Sequence, residues 1–120
     1  MTTIDLADLE SQLNQLILDG RSLEAFERFY GEGIVMQENT DPPIVGKARN
    51  REREQAFFGA LAAVGVTLLG GAVGTDVTYS EWIFELTFHD GRKVHLTEVS
   101  ARRWRDGLVI HERFYYNPAS

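Results

Sequence analysis

The spacing of hydrophobic positions changes about halfway along the chain. In the first thirty residues apolar side chains recur every three or four positions, which predicts a helix with one buried stripe and then a second helix, LEAFERFY. The first stripe comprises Leu6, Leu9, Leu13, Leu16 and Ile17. The segment GIVMQE predicts a short strand with Glu38 at its last inward position, because Pro42 and Pro43 prevent its continuation. From Gly46 a third helix is predicted, with Ala56, Phe57, Ala60 and Leu61 facing the core.

From residue 64 onward the hydrophobic period is two, as in strands. The segment VGVTLLGGAVGTDVTYS, residues 64–80, predicts a strand whose glycines indicate a bulge or a bend. Residues 81–116 then contain three strands joined by two turns that include Asp-Gly. Three helices followed by an antiparallel meander predict an α+β fold, in which helices cover one face of a curved sheet. We expect a single domain over residues 1–120.

The two Asp-Gly turns determine which side chains share a face of the sheet. Residues 89–91 and 105–107 both fit three-residue loops with glycine at the left-handed position. A two-residue second turn would instead shift the parity and point Glu112 to the opposite face. The three-residue choice predicts the opposed pairs Leu86–Val94, Phe84–Leu96 and Trp82–Glu98, followed by Arg102–Ile110, Ser100–Glu112 and Glu98–Phe114.

With this register, one face of the meander combines apolar residues with a polar cluster. The apolar residues are Trp82, Phe84, Leu86, Phe88, Leu96, Trp104, Leu108, Ile110, Phe114 and Tyr116, and the polar ones are Glu98, Ser100, Arg102 and Glu112. Charged side chains are rarely buried unless they are paired or hydrated. A polar cluster inside an aromatic face therefore indicates a ligand cavity, or a buried ion-pair network that satisfies only itself. His95 and His111 fall on the opposite, outer face.

The amino-acid composition limits which partners and cofactors are expected. The 18 acidic against 12 basic residues give a net charge of −6, which argues against nucleic acid as a partner. The basic segment KARNRERE alternates arginine and glutamate, as expected for a solvated helix face. No membrane partner is expected, since no apolar run approaches about 18 residues, and an acidic N-terminus suggests a cytoplasmic protein. Without cysteine, and with histidines that lack ligand spacing, we expect neither a metal site nor another cofactor.

The order of elements and several short motifs resemble the nuclear transport factor 2-like superfamily. The motifs are the strand ending in Glu38, the following PPIVGKA, and a meander that ends with W-x-x-G-x-x-x-x-x-R-F-Y-Y. In particular, the chain is similar to the SnoaL-like polyketide cyclases, which are related to ketosteroid isomerases. The resemblance implies a cone-shaped, cystatin-like α+β fold, with a curved antiparallel sheet wrapped around the N-terminal helices and a deep apolar pocket. It also implies a homodimer, which we expect to form through a stripe of Ile83, Val99 and Tyr115 on the outer face.

The resemblance assigns the proton-transferring carboxylate of the isomerases to Glu38. Their two oxyanion donors correspond to Leu13 and to a position near Ser100, so neither donor is present and ketosteroid isomerisation is not expected. The implied activity is cofactor-independent isomerisation or cyclisation, with proton abstraction next to a carbonyl of a small hydrophobic substrate. The alternative is a non-catalytic ligand-binding or structural dimer. The candidate catalytic residues are Glu38, Arg102 and Glu112, and the candidate substrate-binding residues are Tyr30, Met36, Phe57, Trp82, Phe84, Glu98, Ser100, Phe114 and Tyr116.

Overall fold

The computed structural model describes residues 5–118, which form three helices and one six-stranded sheet. In chain order the elements are α1 (Leu6–Leu18), α2 (Ser22–Phe29), β1 (Tyr30–Glu38), β2 (Ile44–Val45), α3 (Lys47–Gly59), β3 (Leu61–Val73), β4 (Val77–Phe88), β5 (Lys93–Arg105) and β6 (Leu108–Tyr116). No helix in this part of the chain combines the length and the apolar character needed to cross a membrane. The predicted α+β class is confirmed.

The sheet has the strand order β2-β1-β6-β5-β4-β3. Its neighbouring strands run antiparallel except β1 and β6, which are parallel, so the expectation of a wholly antiparallel sheet is wrong for this pair. The short strand β2 was not predicted. The segment predicted as one strand over residues 64–80 belongs to two strands, because the chain reverses at residues 74–76. The glycine-rich β3 has a register irregularity between Leu68 and Gly70, as its glycines predicted, and a second one between Leu61 and Ala63 that was not predicted.

The hydrophobic core lies where α1 and α2 cover the concave face of the sheet. Leu13 of α1, Ile34 of β1 and Val109 of β6 have no exposed surface. The Phe29 and Trp104 rings meet edge to face with their centroids 6.4 Å apart. Burying aromatic and aliphatic side chains in this way supplies the main driving force for folding. The helices cover only part of the concave face, and the uncovered part forms the cavity described below.

The predicted register is confirmed for the first hairpin and wrong for the second. In the first, Trp82 lies opposite Glu98, and the backbone N–H of Phe88 donates to the carbonyl oxygen of Arg92 at 2.8 Å across a three-residue loop. The second turn has two residues, both with positive φ, and it closes Arg105 against Leu108. A β-bulge between Arg103 and Trp104 then restores the parity. The observed pairs are Arg102–Glu112, Ser100–Phe114 and Glu98–Tyr116.

Because the bulge restores parity, the predicted polar cluster does face the helices. The apolar residues near the turn differ from the prediction: Val109 is fully buried, Leu108 is 40% exposed and Ile110 lies at the bulge, so neither Leu108 nor Ile110 belongs to the core. His95 lies opposite Glu85 on the outer face, as predicted.

Helix α3 buries a polar face, contrary to the prediction. Ala56, Phe57 and Ala60 are exposed and Leu61 is only partly buried. In contrast, Lys47 and Asn50 at the start of the helix are buried. The ammonium group of Lys47 donates to the carbonyl oxygens of Glu27 and Tyr30 at 2.9 and 2.7 Å. The Asn50 side chain donates to the carbonyl oxygens of Ile44 and Gly46 at 3.0 and 2.9 Å. These bonds attach α3 to the rim of the sheet, and the segment KARNRERE is not simply a solvated face.

Candidate functional site

A cavity of about 1330 Å³ opens between the concave face of the sheet and the three helices. Trp82 and Phe84 form part of its wall, with stacked rings whose centroids are 5.7 Å apart. The structure brings all twelve predicted site residues to this one cavity: Tyr30, Met36, Glu38, Phe57, Trp82, Phe84, Glu98, Ser100, Arg102, Glu112, Phe114 and Tyr116. The common location of most of them follows from the shared face of strands β1, β4, β5 and β6. Their individual roles remain predictions.

Glu38 is the last residue of β1 and lies at the wall of the cavity. It follows Ile34 and Met36 in alternation, and both of those residues are buried on the inner face. The chain turns away at Asn39, whose φ is +51° and whose backbone N–H donates to the carbonyl oxygen of Phe114 at 2.8 Å. The Asn39 amide oxygen also accepts a hydrogen bond from the backbone of β6. These bonds fix the position from which Glu38 projects.

The carboxylate of Glu38 has two neighbours, the hydrogen-bonding Tyr116 hydroxyl and the guanidinium of Arg53. Nη1 of Arg53 lies 3.9 Å away, at the limit of an ion pair, and 42% of the Glu38 side chain is exposed. The Tyr116 hydroxyl lies on the same side of the cavity, and its burial, followed by the nearby Glu38 carboxylate, raises the pKa of Tyr116 to about 12. Glu38 is therefore an accessible carboxylate at a fixed position, which is the arrangement that a general base requires.

Arg102 is at the centre of a buried ion-pair network at the inner end of the cavity. Its Nε donates to Glu112 at 2.6 Å, while Nη1 donates to Glu10 at 2.9 Å and to Asn14 at 2.8 Å. Arg102 and Glu112 are each 1% exposed. The Tyr30 hydroxyl donates to the second Glu112 oxygen at 2.5 Å, so both oxygens of that carboxylate have partners. Such complete pairing is what makes buried charges tolerable.

Three members of this network were missed in the sequence. Glu10 and Asn14 lie four residues apart on α1, and Ser80 lies on β4. The Ser80 hydroxyl donates to Glu10 at 2.6 Å and accepts from Asn14 at 2.9 Å. The available signal was the position of Glu10 and Asn14, each directly after a leucine of the apolar stripe. Polar side chains at four-residue spacing beside such a stripe can reach buried partners.

Glu98 lies in the same cavity with a different environment. The residue is 9% exposed, and its carboxyl group has no hydrogen bond or ion pair within residues 5–118. Burial, and then the charges of Glu112 and Glu38, raise the pKa of Glu98 from 4.5 to about 8. At neutral pH this carboxyl group carries its proton and can donate a hydrogen bond. Perturbed groups of this kind concentrate at functional sites.

Glu54 on α3 is a further acid of the cavity that the sequence did not reveal. Burial raises the pKa of Glu54 to about 7, against the lowering effect of Arg53. Its carboxylate lies 3.4 Å from Nη2 of Arg53. The alternating charges of α3 concealed Glu54, since nothing local distinguishes it from the exposed Glu52. Together with Glu38 and Glu98 it forms a set of acids in different environments, as acid–base chemistry requires.

The described residues contain no group of three or more histidine, aspartate or glutamate side chains arranged to hold a metal ion. No protein-family model matches the sequence. No curated protein matches it either.

Solved structures with the same fold are readily found. A protein described as a SnoaL-like polyketide cyclase of Mesorhizobium loti superposes with a TM-score of 0.82 at 23% identity, covering 94% of this chain and 100% of the other. An LEH-like epoxide hydrolase of Mycobacterium tuberculosis gives 0.73 at 14% identity, with 88% and 80% covered. TerC, co-crystallised with polyporic acid, gives 0.76 at 14% identity, with 92% and 90% covered.

The chain therefore shares its fold with solved structures described as SnoaL-like and NTF2-like proteins. This is the fold that the resemblance of the sequence implied. The same fold carries cyclases and an epoxide hydrolase, so activity has to be argued from the residues of the cavity.

Proposed function

We propose that the protein is a cofactor-independent enzyme that moves a proton at the carbon next to a carbonyl group, in an isomerisation or a cyclisation. The observation that carries the proposal is the accessible Glu38 carboxylate at the wall of an open, largely apolar cavity, 3.9 Å from the guanidinium of Arg53. A Glu38 locked against arginine, or a collapsed cavity, would instead favour a structural role.

In the proposed reaction, Glu38 accepts the proton from the substrate carbon and Glu98 donates a hydrogen bond to the carbonyl oxygen. β6 separates the strands of Glu38 and Glu98, so their backbones lie roughly 10 Å apart, which leaves room for a substrate between the two side chains. A protonated carboxyl group in an apolar wall stabilises the negative charge that develops on the oxygen. The Tyr116 hydroxyl hydrogen-bonds to the Glu38 carboxylate, so its place in this mechanism is to orient the base.

Arg102 and Glu112 have a positioning role in this mechanism. The sequence indicated both as candidate catalytic residues. The bonds of Arg102 to Glu112, Glu10 and Asn14 engage its guanidinium within the protein. Direct stabilisation of the substrate oxygen is thus better assigned to Glu98, while the Arg102 network holds α1 against the sheet and maintains the cavity.

The proposal is tested with 2-acetylnaphthalene, a planar apolar ketone with exchangeable methyl protons. In D₂O, NMR measures the rate at which the protein replaces these protons by deuterium. Glu38→Gln is expected to lower the catalysed rate by roughly 10²-fold or more, the usual contribution of a positioned base. Glu32→Gln, an exposed residue of the same strand, is the matched control and should exchange at the wild-type rate. Equal rates in the wild type and in Glu38→Gln would refute the role of Glu38, and tight binding without exchange would favour the ligand-binding alternative.

We also propose that two copies of the chain pair through the outer face of the sheet. Tyr115 is 45% exposed and Tyr79 is 40% exposed in this face, next to the partly buried Ile83 and Val99. Neighbouring apolar side chains on an exposed face are typical of subunit contacts. Light scattering should give twice the chain mass for the wild type and a monomer for Tyr115→Glu. A monomeric wild type at micromolar concentration would contradict the proposal.

A further inference from the structure

We infer that the cavity selects neutral substrates with an acceptor oxygen and excludes carboxylates of the same shape. This inference rests on the proposed function, because it concerns the substrate of the same site. The selection arises because Arg53 and Arg102, which both line the cavity, are already paired with acids of the protein.

Arg102 is not available to an anionic ligand. Its Nε and Nη1 donate to Glu112, Glu10 and Asn14, and 1% of the residue is exposed. Two carboxylates already surround its single positive charge, so the network has a negative charge in excess. A substrate carboxylate near Arg102 would therefore meet net repulsion, and it would also lose its hydration.

Arg53 is shared between acids through its two terminal nitrogens, while its buried Nε has no hydrogen-bond partner among the described residues. Its Nη1 lies 3.9 Å from Glu38 and its Nη2 lies 3.4 Å from Glu54. Acids thus outnumber arginines around these two residues. Arg21 also lines the cavity, where it pairs with Glu24 at 2.6 Å. The basic residues Arg92 and Lys93 lie at the β4–β5 turn, and Glu98 lies five residues beyond Lys93 on β5, roughly 17 Å away along the strand. They are too distant to offset the acids in screened solvent.

The electrostatic potential in this part of the cavity is negative, as the pKa values of its acids show. The charges of Glu112 and Glu38 raise the pKa of Glu98 in addition to its burial, and they raise the pKa of Glu54 as well. The same potential opposes a substrate carboxylate. A carbonyl or ether oxygen meets no such opposition, and it can accept a hydrogen bond from the protonated Glu98. Apolar walls such as Trp82 accommodate the remainder of the molecule.

The test compares two ligands of nearly equal shape, 2-acetylnaphthalene and 2-naphthoate, which differ in a methyl group against a charged oxygen. Fluorescence titration at about pH 7.5, between the pKa of Glu54 at about 7 and that of Glu98 at about 8, keeps Glu54 mostly ionised and Glu98 mostly protonated and gives both dissociation constants. We expect the ketone to bind more tightly than the carboxylate by about tenfold or more. In Glu54→Gln this ratio should fall severalfold because the carboxylate binds better. Glu52→Gln, an exposed residue of the same helix, is the matched control and should keep the wild-type ratio.

The experiments distinguish a failure of the charge-selection inference from a failure of the proposed proton transfer. If 2-naphthoate binds as tightly as the ketone, the charge selection is refuted, while the proton-transfer proposal is still judged by the exchange rate of the ketone. If the ketone binds more tightly but Glu54→Gln leaves the ratio unchanged, the selection does not arise from the acids and the inference is equally refuted. If neither ligand binds, both the inference and the proposed substrate class are overturned.

Discussion

Replacing Glu98 by glutamine should change how the stability of the protein depends on pH. Burial, with the charges of Glu112 and Glu38, raises the pKa of Glu98 from 4.5 to about 8 in the folded protein. The folded state therefore binds this proton more tightly than the unfolded chain does, and stability falls as the pH rises through the folded pKa. Between about pH 6 and about pH 9, Glu98 should remove roughly 2–3 kcal/mol from the free energy of unfolding. A glutamine side chain has no proton to lose in this range, so the variant should lack this decline.

Urea melts of the wild type and of Glu98→Gln at the two pH values measure the effect. The stability difference between the two proteins should move in favour of the variant by roughly 2–3 kcal/mol from about pH 6 to about pH 9. Comparing differences cancels the intrinsic effect of the amide on packing. Glu81→Gln, an exposed residue of the neighbouring strand, should show no such change. An identical difference at both pH values would mean that the folded protein solvates Glu98, and it would refute the assignment of a protonated donor in the cavity.

Three further predictions follow from single contacts. Glu112→Ala leaves Arg102 without its closest acceptor and should destabilise the protein by roughly 3–5 kcal/mol, whereas an unchanged urea midpoint would contradict the buried pair. Gly71→Ala places a Cβ 2.5 Å from a backbone oxygen of β4 and should lower the free energy of unfolding by about 1–3 kcal/mol. The control is Gly70→Ala, whose Cβ would meet no atom within 4 Å, and equal melting temperatures of the two variants would contradict the clash. The deuterium exchange rate should fall above about pH 8 in the wild type, and NMR should show no such fall in Glu98→Gln.

The second hairpin shows why a face can be predicted from sequence when the register cannot. The predicted three-residue turn and the observed two-residue turn differ by one residue, and the bulge adds one more, so the parity agrees while the pairing shifts by two positions. The residues after the turn, Leu108, Val109 and Ile110, are all apolar, and any of them could face the core. Packing against Trp104 selects Val109, and this is a tertiary choice that local alternation does not encode.

Helix α3 illustrates a second limit of sequence interpretation. Its charged residues alternate in sign, which normally indicates exposure. The structure instead buries Lys47 against two backbone carbonyls and places Glu54 in the cavity. The environment of Lys47 comes from partners distant in sequence, since the carbonyls belong to Glu27 and Tyr30. The polar face of α3 is recognisable only once the sheet and α2 are in place.

The location of the site was predictable from a polar cluster within an aromatic face, but the availability of each acid was not. Glu112 and Glu98 both lie on that face, yet Glu112 accepts hydrogen bonds from Arg102 and Tyr30, while Glu98 has no such partner in the described chain. Arg102 itself is engaged by residues of α1 that lie 88 and 92 positions away in sequence. A fully paired carboxylate stabilises the fold, whereas a buried carboxyl group without partners stays protonated and can donate a hydrogen bond to a ligand. The difference in pairing, rather than the identity of the residues, is why we propose Glu98 and Glu38 for the chemistry of this cavity.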